Sequence, residues 1–159
     1  MDFPKRIYTE EELNRARELI EKGYRHSLTI EGSVAFSQKV KGAFELVKTA
    51  GYYDFFRTYI GIVKEIDGLT QLRQSEAAIW ANRYAVANPV DAASLFVQKA
   101  NQMKEYLEGQ LYYGGAAERR FDEKRIEFLK VLEDKSDDEH VREECERILK
   151  LWREGYLVY

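Results

Sequence analysis

The chain has 159 residues, enough for one domain with a substantial core, and its 45% hydrophobic and 33% charged residues are those of a soluble globular protein. The net charge of −3, with Lys and Arg interleaved among Asp and Glu, lacks the basic surplus on which nucleic-acid binding rests. There is no apolar run of the ~20 residues that span a bilayer and no apolar stretch suited to a secretory signal in MDFPKRIYTEEEL. The lone Cys145 excludes an internal disulfide and suits a reducing, cytoplasmic setting.

The first predicted element is a helix over TEEELNRARELIEKGY. Thr9 and Glu12 form a capping box, Leu13, Ala16, Leu19 and Ile20 form its apolar stripe, and Gly23 closes it. HSLTIEGS follows as a strand, with Leu28 and Ile30 alternating against Thr29 and Glu31. Ser33 caps a second helix through Phe36, Val40, Ala43, Phe44 and Val47. YYDFFRTYIGIVKEIDG is read as a third helix, because Phe55, Tyr59, Ile62, Val63 and Ile66 share a helical face. LTQLRQSE is polar and read as a connection, and a second strand is expected from Ala78 to Val86.

Asn88 and Pro89 start a helix that runs to about Gly109. QLYYGGAA is a loop by its glycine pair, AERRFDEKRIEFLKVLEDK is an amphipathic helix through Phe121, Ile126, Phe128, Leu129 and Leu132, and Asp137 is the expected N-cap of a last helix. Helix dominates, and two strands distant in the chain predict an α+β fold, a small sheet packed against helices, in a single domain over 1–159. The final helix and tail occupy 137–159.

The helix containing LFVQKANQM carries the main functional question. A helical H-E-x-x-H motif binds zinc because side chains four apart share a face, and its Glu serves as base for the bound water. The segment PVDAASLFVQKANQMKEYLEG keeps the frame of such a helix, and the next one holds Glu118 and Asp122 at E-x-x-x-D spacing. From HSLTIEGS to FLKVL, about residues 26–132, the chain resembles compact zincin-like (gluzincin) metallopeptidases. Those families place a strand, two helices, an edge strand, the H-E-x-x-H helix and then a helix with E-x-x-x-D. By that resemblance Gln98 and Gln102 stand where the two His ligands would be, and Lys99 where the general-base Glu would be. Glu118 matches the third ligand and Asp122 its partner. The departures decide the chemistry, because an amide is a poor zinc ligand beside an imidazole and a protonated lysine is no base. The resemblance therefore implies a degenerate site without metal or cofactor.

A core-helix reading accounts for the same segment. Ala93, Phe96, Val97, Ala100, Met103 and Leu107 form a full apolar stripe, which Gln98 and Gln102 would flank, leaving Lys99 solvated. Elsewhere, His26 and His140 are far apart, and His140 and Cys145 face different directions on a helix, so both histidines and the cysteine read as structural. EDKSDDEH lacks the Gly and Glu of an EF-hand loop and reads as an acidic helix start. EKRIEFLKVL resembles the ribonuclease III signature in its Glu-Phe-Leu core, but Lys130 and Val131 replace the Gly-Asp that follows there. No phosphate-binding glycine loop, dinucleotide fingerprint or Ser-His-Asp order is present.

Eleven tyrosines, with pairs at Tyr52–Tyr53 and Tyr112–Tyr113, suit a protein interface. The apolar end, Leu157, Val158 and Tyr159, is expected to pack on its own domain or on a second copy. The sequence therefore favours a non-catalytic protein-interaction or structural domain, with a protein partner or self-association and neither nucleic acid nor membrane as a target. The alternatives are a hydrolase with an atypical metal site around Glu118 and Asp122, and an RNA-related module.

Overall fold

The computed structural model describes residues 2–110 and 113–155, so the tail residues Leu157 to Tyr159 and Tyr112 lie outside the described residues. The fold is predominantly helical α+β: among the described residues, six α-helices pack with one small four-stranded sheet.

Helix α1 (Glu10–Glu21) starts at the expected capping box: Glu12 N donates to Thr9 Oγ1 at 3.2 Å, and Thr9 N donates to Glu12 Oε1 at 2.9 Å. Strand β1 (Thr29–Glu31) is shorter than the run HSLTIEGS suggests. Helix α2 (Val34–Thr49) is capped by Ser33, and its buried face is the predicted stripe from Phe36 to Val47.

The next segment corrects the sequence reading. Its helix, α3, covers only Tyr53–Tyr59; the backbone turns extended at Ile60, and Ile62–Ile66 forms strand β2. The apolar residues of this stretch satisfy either periodicity, but the backbone groups of Ile62–Ile66 find partners on both sides, β1 and a strand from distant sequence. The polar stretch read as a connection also contains a strand, β3 (Gln71–Arg73), which buries only Leu72. Strand β4 (Ala78–Asn82) ends four residues earlier than expected, where the Asn82 side chain accepts from Tyr84 N and opens a short 3-10 turn over Arg83–Val86.

Sheet order is β1-β2-β4-β3, with β1, β2 and β4 parallel and β3 antiparallel at the edge. The strand expected at the edge, β4, is therefore interior. Val63, Leu72, Ile79 and Ala81 point into the core, and Lys64, Trp80 and Arg73 stand on the opposite face, where both cations lie over the Trp80 ring.

Helix α4 (Pro89–Leu107) is the centre of the molecule. Asn88 Oδ1 accepts from Val90 N and Asp91 N, and Pro89 occupies the first turn. It is buried on most of its circumference, against α2, α3 and helix α5 (Gly115–Lys135). Helix α6 (Glu139–Arg153) packs on α5, and its N-cap is Asp138 rather than Asp137, accepting from His140 N at 2.9 Å and Val141 N at 3.3 Å. One hydrophobic cluster runs from Ile7 to Leu149. Among the described residues, no helix is long and apolar enough to cross a membrane.

Candidate functional site

Two polar stripes meet between α4 and α5. On α4, Asp91, Ser94, Gln98 and Gln102 recur at helical spacing; on α5, Glu118, Asp122 and Arg125 do the same. Because the two helices pack side by side, these rows face each other across a cavity of about 380 Å3. The five residues singled out in the sequence, Gln98, Lys99, Gln102, Glu118 and Asp122, all line it.

Two pairs among them are in contact. Gln98, buried, donates from Nε2 to Asp122 Oδ1 at 3.0 Å. Lys99 Nζ lies 3.5 Å from Gln102 Oε1. Asp122 is 6% exposed, and its second oxygen, Oδ2, has no hydrogen-bond partner. Burial raises the Asp122 carboxyl to about 6, with Glu118 adding to the rise and Arg125, Gln98 and Lys99 opposing it. Burial also lowers the Lys99 ammonium, helped by Arg125 and opposed by Asp122 and Glu118. The expected solvated Lys99 is therefore corrected: it is half-buried and faces the cavity. Gln98 is likewise buried and not merely a flank of the apolar stripe.

Sequence reasoning missed Arg125, Asp91 and Ser94. Arg125 donates from Nε to Ser94 Oγ at 2.8 Å and from Nη2 to Asp91 Oδ1 at 2.7 Å, with its side chain 13% exposed. The signal was the seven-residue offset of Asp91 from Gln98 and of Glu118 from Arg125, two helical turns in each row. Only the packing of α4 on α5 sets those rows opposite each other.

The donor set does not fit a hydrolytic metal. It offers two amides and three carboxylates, but Asp91 is paired with Arg125, Asp122 accepts from Gln98 and Glu118 is exposed, and the ammonium and guanidinium alongside repel a divalent ion. Among the described residues, no group of three or more His, Cys, Asp or Glu side chains could hold a metal ion.

The remaining reactive residues lie elsewhere. Cys145 is fully buried in the core, and burial pushes its thiol up to about 12, so it is a packing residue. His26 packs edge-on against Phe3 and Tyr24, at centroid distances of 4.6 and 5.0 Å, and burial lowers it to about 4. His140 is exposed at the start of α6. No protein-family model matches the chain, and no curated protein or solved structure matches it either.

Proposed function

We propose that this chain is a non-catalytic protein-interaction domain built on a degenerate metallopeptidase-like scaffold. The carrying observation is the Gln98–Asp122 hydrogen bond, flanked by Lys99 and Arg125 in the same cavity. Where the resemblance would put imidazoles and a carboxylate base around an ion, this chain has Gln98 bonded to Asp122, Lys99 beside Gln102 and Arg125 paired with Asp91. The stretch from β4 to α5 supports the scaffold reading, while the strands β2 and β3 and the interior place of β4 depart from it. A helix follows β4 and carries the degenerate motif positions, and the next helix supplies Glu118 and Asp122 across the cavity.

The surface beside the cavity supports interaction. Thr70 and Ala85 line it, and their chain neighbours Leu69 and Tyr84 are 88% and 76% exposed. Asn82 Nδ2 ties the two loops together by donating to the carbonyls of Asp67 and Gly68 at 3.0 and 3.1 Å. Two large exposed side chains thus stand one residue from the cavity's lining, on loops joined at one corner, the composition of an interface anchor. A reducing, cytoplasmic setting belongs to the same proposal and rests on the buried thiol of Cys145.

The discriminating experiment is metal analysis of protein purified without chelator, with a peptide-cleavage assay on the same sample. The expected outcome is substoichiometric zinc and manganese and no chelator-sensitive cleavage. Stoichiometric metal that is lost in Glu118→Ala, together with cleavage, would establish the hydrolase reading instead.

A further inference from the structure

The two cations of the α4–α5 cavity are treated differently by their surroundings. Arg125 is in contact with a carboxylate, Asp91 Oδ1, at 2.7 Å. Lys99 has Gln102 Oε1 at 3.5 Å and, among the described residues, no carboxylate oxygen within 4.0 Å of Nζ. A half-buried ammonium with no carboxylate in contact is costly, and burial lowers the Lys99 ammonium, opposed by the more distant charges of Asp122 and Glu118. The guanidinium in the same cavity adds repulsion that pushes in the same direction as burial. A second observation is independent of Lys99. Asp122 is buried, its Oδ2 is unpartnered, and its carboxyl holds a proton up to about pH 6, which makes it a proton donor and acceptor in the same enclosure.

We propose that Lys99 is a nucleophilic amine that captures small carbonyl compounds, aldehydes or α-oxo acids of a few carbons, as a reversible Schiff base inside this cavity. The enclosure of about 380 Å3 admits such a molecule, since a water occupies ~30 Å3 of liquid. In its deprotonated form Lys99 attacks the carbonyl carbon with the Nζ lone pair, and the carbonyl π pair moves to oxygen. Nitrogen then releases a proton and oxygen takes one up, giving a carbinolamine. The Asp122 carboxyl protonates its hydroxyl, which leaves as water while the nitrogen lone pair forms the C=N bond. The second nitrogen proton returns to the Asp122 carboxylate. One carbonyl and one amine become one imine and one water, without redox change. Hydrolysis of the imine by the reverse path releases the ligand, so the site is a reversible carbonyl trap. It rests on the absence of a hydrolytic ion beside Lys99, but it is read by a different assay from that of metal and peptide cleavage.

The test is reductive trapping on the full chain. Pyruvate, and separately propionaldehyde, is added with cyanoborohydride, and the adduct is located by intact mass and peptide mapping. The expected result is a single early adduct on Lys99, ahead of the exposed Lys39 and Lys124, that is lost in Lys99→Arg. Trapping across a pH series on the unaltered chain covers the case in which that variant fails to fold. Labelling of Lys99 should persist at pH values where labelling of exposed lysines has fallen away. Adducts confined to exposed lysines, or Lys99 labelling that falls with pH in step with theirs, would overturn the proposal.

Discussion

Asp122 shows how one buried carboxyl can set the pH response of the site. Its folded value of about 6 lies above the ordinary 3.8, so across that window the native state holds a proton that the unfolded chain has released. Stability therefore falls as pH rises from about 4 to 6, and the full cost of the buried charge is present above that range. Asp122→Asn keeps an oxygen to accept from Gln98 and removes the charge. Unfolding by urea should show the variant more stable at pH 8 by about 1–2 kcal/mol, and little changed at pH 4. Lower stability at pH 8 would mean that the carboxylate's attraction to Lys99 and Arg125 outweighs its desolvation. His26 has the opposite sign: its value is lowered from 6.5 to about 4, so the stability it contributes is present above pH 6.5 and lost as pH falls through that window. Both groups contribute to the pH profile of the unaltered chain, and the Asn variant removes the Asp122 part.

At the scale of elements, α4 carries both the core and the site. Phe96 is fully buried, with ring centroids 5.8 Å from Phe44 on α2 and 5.9 Å from Phe56 on α3. Truncation to Ala would open a cavity that three helices border and cannot close together. Phe96→Ala should cost about 3–5 kcal/mol in denaturant unfolding followed by circular dichroism. A cost under about 1 kcal/mol would contradict this packing. Elements were legible in the sequence where a local signal is strong, as at Thr9 with Glu12, Ser33, and Asn88 with Pro89. They were illegible at Ile62–Ile66 and Gln71–Arg73. In the first, five residues suit helix and strand equally, and the decision falls to hydrogen-bond partners on β1 and β4. In the second, a three-residue edge strand with one inward side chain has no pattern to detect.

For the whole molecule, the corner bearing Leu69 and Tyr84 leads to a prediction about association. If it anchors a second copy, light scattering of concentrated protein will report a mass above the 18.7 kDa of one chain. The double substitution Leu69→Ser, Tyr84→Ser will return it to that value. Both side chains are largely exposed, so fold stability should change by less than about 0.5 kcal/mol. A wild-type protein that stays at the single-chain mass would sink the self-association version of the proposal.

From the sequence alone came the helical α+β class, the caps, the central helix and the five residues Gln98, Lys99, Gln102, Glu118 and Asp122, because periodicity and capping chemistry are local. Tertiary structure alone decided that β4 is interior, that β2 is a strand, and that Arg125 and Asp91 complete the cavity. Those outcomes depend on which backbone groups and which helix faces meet across long stretches of chain. Burial is decided by the same meeting, and burial lowers the Lys99 ammonium and raises the Asp122 carboxyl, shifts that no spacing of letters contains.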